Sequence, residues 1–532
     1  MPTRKILPIG SQDFEGMIKG HYVYVDKTAY LYHLLLPGIQ KGAAGPKYFF
    51  SRPRRFGKSL TLSTLDAIFS GKKELFTGLY IAEKTDYDFP LFPVLRFDFS
   101  RISHGSGEEF STVLTRQIQQ YATQYGSPLF TAATPADAWD QLLSFFKTQN
   151  QKIVILIDEY DKPILDHITN VTVAKENRDV LKSFYEVIKA NDDVLRFVFI
   201  TGITKFSQMN IFSGMNNLED ISLQSEFAAL CGYTQAELES YFAAYIADFA
   251  QAATTDIASL LKKIRHWYNG FRFTRSPMTV YNPFSTLTLL KTQDFQYHWF
   301  ATGTPTYLMS LIRHHKIDIR EIAPAVIRST HTASYQIETL AVNFPALLFQ
   351  TGYLTIVGVE EDLLTLDFPN LEVREAFYDA LLSDMSEIGD DFSGVSILQL
   401  RTALTQDSLE DVFRILTLFF SKIPYDIQEP TEKYYQSLFF LIFVLIGTRI
   451  RAEVRTNVGR IDAIVETASH LYIFEFKING TAQEALDQIE TKDYAFSFQD
   501  SEKIIQKIGV SFSVAERNIV EWVIPVPKYN PR

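Results

Sequence analysis

The chain has 532 residues, 46% hydrophobic and 21% charged, and a formal net charge of −11, which is enough for about three domains with self-sufficient cores. Its single cysteine, Cys231, excludes an intramolecular disulfide framework, and the acidic balance argues against unaided coating of nucleic acid while leaving room for a local basic groove. Residues 1–10 hold no signal-peptide run, and the most apolar stretch, 438–446, falls well short of the ~20 residues a membrane span needs, so a cytoplasmic protein with no membrane span is expected.

In chain order, the first 230 residues alternate strand-like and helix-like stretches. Residues 47–51 read as a short strand, 59–69 as a helix and 92–99 as a strand, and 108–125 and 136–147 as amphipathic helices. The run Ile153-Val154-Ile155-Leu156-Ile157 suits a strand covered on both faces; 174–190 is helical and 194–201 is another apolar strand. This alternation predicts a mostly parallel α/β sheet. Residues 231–425 read as mainly helical with short extended pieces, Thr234 capping a helix that starts near Glu237. Residues 426–532 give a helix at 432–447, strands at 451–456, 460–466 and 471–477 with a turn at 457–459, then a helix at 482–494 and a strand at 504–512. The expected domains are therefore 1–230, 231–425 and 426–532.

Between the first strand and its helix lies Arg52-Pro53-Arg54-Arg55-Phe56-Gly57-Lys58-Ser59. A phosphate site needs inward-pointing backbone N–H groups, the positive end of a helix and a lysine for the β and γ phosphates, with a serine hydroxyl on Mg²⁺. Arg52 occupies the position where the usual G-x-x-x-x-G-K-[ST] pattern starts with glycine. The second half of such a site is Asp158-Glu159, where an apolar strand ends: the aspartate can hold Mg²⁺ through water and the glutamate can polarise the attacking water. By themselves these stretches also read as a tight loop and a solvated acidic turn. Thr204-Lys205, near the end of the next strand, can sense a γ-phosphate. Arg54 and Arg55 either meet phosphate charge or hold the loop, and Asp26-Lys27-Thr28 either lines the pocket or starts a helix.

These segments, with Pro8-Ile9-Gly10, Tyr24-Val25-Asp26-Lys27-Thr28, Asp158-Glu159-Tyr160-Asp161-Lys162-Pro163, Trp267-Tyr268-Asn269-Gly270-Phe271 and Tyr281-Asn282-Pro283-Phe284-Ser285, resemble the bacterial AAA-ATPase-like family. That family commonly carries Arg-Pro-Arg-Arg-Phe-Gly-Lys-Ser, which accounts for Arg52. The resemblance implies a P-loop NTPase parallel-sheet domain. It implies nucleotide contacts from Arg54, Arg55, Phe56, Gly57, Lys58, Ser59, Leu60 and Asp158, Mg²⁺ held by Ser59 and Asp158, and Glu159 as general base.

Near the C-terminus, Asp462 lies on one expected strand and Glu475 and Lys477 on the next. Strand periodicity puts Glu475 and Lys477 on one face. A hairpin placing Asp462 opposite Glu475 would gather two carboxylates and an ammonium, a set able to bind Mg²⁺ and orient water toward a phosphodiester; the same residues are also what a solvated face with an ion pair contains. Gly459-Arg460-Ile461-Asp462, Ile473-Phe474-Glu475-Phe476-Lys477 and the helix residues Ala485, Gln488 and Ile489 resemble the PD-(D/E)XK nuclease superfamily. The resemblance implies a small α/β restriction-endonuclease-like domain with Asp462, Glu475 and Lys477 in the reaction, Asp462 and Glu475 on the metal, Gln488 beside them, and Glu432 or Glu453 as a further ligand.

The expectation is an ATPase joined through a helical middle region to a Mg²⁺-dependent nuclease-like domain that acts on DNA or RNA. ATP and Mg²⁺ are the expected cofactors, and assembly into an oligomer stays open. The alternative is a nucleotide-controlled switch or phage-defence protein whose C-terminal domain binds without cleaving.

Overall fold

The computed structural model describes residues 4–39, 45–128, 131–205, 217–300, 306–330, 344–388, 390–425, 427, 431–447, 449–455, 460–498 and 501–525. The expected turn at 457–459 and the side chain of Glu453 lie outside the described residues. The chain folds as two compact units, Met1–His315 with Ala323–Val373, and Lys316–Ile322 with Arg374–Arg532.

The first unit is built on an all-parallel sheet of β1 (Lys47–Ser51), β2 (Val94–Asp98), β3 (Ile153–Asp158), β4 (Leu195–Gly202) and β5 (Leu218–Asp220), in the order β2-β3-β4-β1-β5. Every residue of β1 and β3 is buried, as expected of parallel strands covered on both faces. The order sets β4 between β1 and β3, so the ends of three neighbouring strands face one side. Helices α1 (Phe14–Lys19), α2 (Thr28–Ile39), α3 (Lys58–Phe69), α4 (Gly107–Gln124), α5 (Pro135–Thr148) and α6 (Val171–Ala190) accompany the sheet. Ser106, Thr134 and Asn170 cap the last three by accepting backbone N–H bonds, each worth about 1 kcal/mol. Trp139 of α5 stacks on Phe184 of α6 with ring centroids 5.2 Å apart, and both meet Phe97 of β2 edge-on.

The outer edge of β2 is closed by side chains. Tyr125 accepts from the backbone N–H of Val94 at 3.2 Å and donates to its carbonyl at 3.1 Å. One helical turn earlier, Tyr121 does the same for Arg96.

The first unit continues with α7 (Gln235–Tyr241), which starts in a reciprocal capping box between Thr234 and Glu237, and α8 (Pro283–Thr292), capped by Asn282. It also holds a small antiparallel sheet of β6 (Ala325–Arg328), β7 (Thr355–Glu360) and β8 (Leu363–Asp367), ordered β6-β8-β7. Helix α9 (Leu371–Ser386) begins in this unit and ends in the second.

The second unit holds a mixed sheet of β9 (Arg449–Arg455), β10 (Arg460–Glu466), β11 (His470–Ile478), β12 (Ile504–Ser513) and β13 (Asn518–Val523), ordered β13-β12-β11-β10-β9. Only the β11–β12 pair is parallel. Strand β13 adds to the expected order of elements: Asn518-Ile519-Val520-Glu521-Trp522-Val523 sits on the sheet edge. Helices α10 (Leu409–Lys422), α11 (Glu432–Leu445) and α12 (Ala482–Thr491) pack against this sheet. Phe439 of α11 meets Phe474 and Phe476 of β11 at 5.0 and 4.8 Å. Among the described residues no helix is long and apolar enough to cross a membrane.

Candidate functional site

Strand β1 runs into a loop whose backbone is bent by two left-handed residues, Arg55 at φ 65° and Gly57 at φ 102°. At Gly57 the positive φ, not crowding, demands glycine, because a Cβ there would meet nothing within 4 Å. Helix α3 starts at the next residue, so its unpaired N–H groups and positive end point at the loop. Arg52 explains how the loop forms without its first glycine. Its buried guanidinium donates to the carbonyls of Ser51, Ser222 and Phe227 and lies between the rings of Phe50 and Phe273. Arg52 therefore anchors the loop from within the core, while Arg54 and Arg55 stay exposed.

A cavity of about 400 Å³ opens at this loop. Arg54, Arg55, Phe56, Gly57, Lys58, Ser59, Leu60 and Glu159 all line it. The Lys58 ammonium is held by the carbonyls of Arg52 and Pro53 at 2.9 and 3.1 Å. Asp158 sits behind the wall, 2% exposed, and accepts from the Thr201 hydroxyl at 2.7 Å. Glu159 is held at φ 50°, a strained backbone for a non-glycine residue. Burial raises its carboxyl pKa above the ordinary range, with the Lys58 charge pulling the other way.

Several residues went unread or half-read in the sequence. Thr201 joins β4 to the Asp158 carboxylate; its one signal is a hydroxyl near the end of a mostly apolar strand. Lys27 does line the cavity and pairs with Glu237 at 2.6 Å, while Thr28 also starts α2. Lys162 and Phe284 are further lining residues. Thr204 and Lys205 are not among the cavity lining. Thr204 donates to the buried Asp161 carboxylate at 2.7 Å, and Lys205 pairs with Asp220 at 2.7 Å.

In the second unit, the antiparallel register that sets Ala463 opposite Phe474 carries Asp462 opposite Glu475. The backbone N–H of Phe476 donates to Asp462 Oδ2 at 2.8 Å. Gln488 of α12 bridges the other pair: its side-chain nitrogen donates to Glu475 and its oxygen accepts from Lys477 at 2.6 Å. Glu475 is 2% exposed and its Oε2 has no hydrogen-bond partner among the described residues. Burial, seconded by the Asp462 charge, pushes its carboxyl up to about 8. A buried, unsatisfied carboxylate oxygen beside a second carboxylate fits a hard divalent cation that takes oxygen ligands. Glu432, by contrast, is exposed and accepts from Gln436. No cluster of three His, Cys, Asp or Glu side chains able to hold a metal occurs among the described residues.

The family described as "Predicted AAA-ATPase" matches residues 8–212, and the one described as "PD-(D/E)XK nuclease superfamily" matches 430–522. A protein of Azotobacter chroococcum mcd 1, described as an uncharacterized protein in the vnfD 5′ region, is 35% identical over 548 residues, covering 98% of this chain and 99% of that protein. This chain belongs to the AAA-ATPase-like family. The AAA-ATPase-like chain also carries a C-terminal PD-(D/E)XK domain. Among solved structures, the Aeropyrum pernix ORC1 protein in complex with DNA aligns at 12% identity and a TM-score of 0.26, over 71% of this chain and 98% of that one. The Aeropyrum pernix ORC2 protein in ADPNP–ADP complexes gives 12%, 0.27, 72% and 97%.

Proposed function

We propose that this chain binds and hydrolyses ATP in the first unit and uses the nucleotide state to control a metal-dependent, nuclease-like site in the second that acts on DNA or RNA. One observation carries the nucleotide reading: Lys58, Ser59 and Glu159 line one cavity at the start of α3, with Asp158 directly behind it. The α3 N–H groups and Lys58 take the phosphates. Ser59 and Asp158 hold Mg²⁺, and Glu159 accepts the proton of the attacking water. In the second unit Asp462 and Glu475 hold Mg²⁺, which when bound supplies an activated water and neutralises phosphate charge. Lys477, fixed by Gln488, stands on the same strand face as Glu475 and stabilises the charge that develops on the phosphate. We place the protein in the cytoplasm.

A second reading is a nucleotide-controlled switch, for instance in phage defence, whose C-terminal domain binds nucleic acid without cutting it. It is favoured by Glu475, whose carboxyl at about 8 is largely protonated at neutral pH and already bonded to Gln488. Purified protein with ATP, Mg²⁺ or Mn²⁺ and mixed DNA and RNA, beside Lys58→Ala and Asp462→Ala, decides between them. The leading reading expects ATP turnover that Lys58→Ala abolishes and metal-dependent cleavage that Asp462→Ala abolishes. Turnover without cleavage of any substrate leaves the switch.

A further inference from the structure

Glu372, in the first turn of α9, belongs to neither site, yet it is fully buried at 0% exposure. Its Oε1 accepts from the backbone N–H of Trp299 at 2.7 Å and from the Ser285 hydroxyl at 3.0 Å, and its Oε2 has no hydrogen-bond partner among the described residues. Trp299 in turn donates its indole N–H to the carbonyl of Arg54 in the phosphate loop, at 3.1 Å. Ser285 lies in the first turn of α8, whose Pro283, Phe284 and Leu287 line the nucleotide cavity. The Arg55 guanidinium sits 5.0 Å above the Phe284 ring. One carboxylate thus ties together two walls of the cavity, the loop through Trp299 and α8 through Ser285.

Burial opposes the charged form and lifts the Glu372 carboxyl to about 8. Its Oε1 is the common acceptor of both bonds. Trp299 is 6% exposed, its ring meets Tyr353 at 5.3 Å, and Gly352 packs against Pro53 of the loop. The helix that carries Glu372 passes into the second unit immediately after Val373.

We propose that Glu372 is a positioning residue for the phosphate loop: it fixes Trp299 so that the indole holds the Arg54 carbonyl, and it thereby ties the loop's geometry to the start of α9. The inference rests on the nucleotide reading of the cavity. A loop released from this tie populates other conformations, and the affinity for nucleotide falls in proportion to the competent fraction.

The test is calorimetric titration of the full chain with ATP and Mg²⁺, beside thermal melts of the same samples. Trp299→Phe keeps the ring and the backbone N–H but loses the bond to Arg54; Glu372→Ala loses both of its bonds; Glu372→Gln keeps an oxygen that accepts both. Trp299→Phe and Glu372→Ala are expected to weaken ATP binding about tenfold, Glu372→Gln to stay within about twofold of the parent, and the double variant to be no weaker than either single one. A merely structural Glu372 would lower the melting temperature of Glu372→Ala and leave the ATP affinity of Trp299→Phe at the parent value. That result, or Glu372→Gln binding as weakly as Glu372→Ala, overturns the inference alone. A parent that binds no ATP brings down the nucleotide reading and this inference with it.

Discussion

At the scale of single residues, the two sites differ in how much chemistry the side chains announce. Lys58, Ser59, Asp158 and Glu159 stand in contiguous stretches beside apolar strands, so their grouping was legible before any fold was known. Arg52 and Thr201 were not, because what matters is the partner: Arg52 reaches Ser222 and Phe227, and Thr201 reaches across the sheet to Asp158. Thr201→Val keeps the shape and removes a bond from a buried carboxylate, so it should destabilise the protein by about 1–3 kcal/mol. Because Asp158 is the proposed Mg²⁺ holder, ATP turnover should fall as well; a thermal melt and a phosphate-release assay read the two effects. Glu475 gives a pH dependence. Its carboxyl rises from 4.5 to about 8 in the metal-free protein, so a metal ion must displace a proton. Mn²⁺ affinity, measured by calorimetry, should climb about tenfold per pH unit from 6 to 8 and level off above, and Glu475→Gln should remove the slope. For stability without metal the sign is the reverse of the usual carboxylate: the contribution is full below about 4.5 and is lost as pH rises to about 8.

At the scale of elements, strands were legible where burial on both faces produced unbroken apolar runs, as in β3, and illegible where they are short or half exposed. Strand β5 has three residues, and β13 buries only Ile519 of its six. The small sheet β6-β8-β7 was legible only as short extended pieces in a helical stretch, since its strands pair only in three dimensions. The second site depends on how closely α12 lies on its sheet. A Cβ on Gly509 of β12 would come within 2.0 Å of the Ala482 carbonyl, and that neighbour is backbone with little room to yield. Gly509→Ala should therefore push α12 outward and cost about 1–3 kcal/mol by overpacking. It should also detach Gln488 from Glu475 and Lys477. Unfolding in denaturant and Mn²⁺ titration of Gly509→Ala are the measurements, and unchanged values in both would show that the helix is free to shift.

At the scale of the whole molecule, the two units carry separate sheets and separate proposed ligands. Differential scanning calorimetry should therefore show ligand-selective effects. ATP with Mg²⁺ should raise the melting of the first unit and Mn²⁺ alone that of the second, each by about 2.7 kcal/mol at 100 times Kd; Lys58→Ala and Asp462→Ala should each cancel one shift and spare the other. A single common shift with either ligand would contradict two separate binding sites. The pairing of Tyr121 and Tyr125 with the backbone of β2 has a consequence at this scale too. A bare outer strand invites another chain to continue the sheet, the usual first step toward swapped dimers and fibrils. Here the outward-facing peptide groups of Val94 and Arg96 are already occupied by tyrosine hydroxyls of the chain itself. The parallel sheet of the first unit is therefore blocked at β2, and its other edge is the three-residue β5.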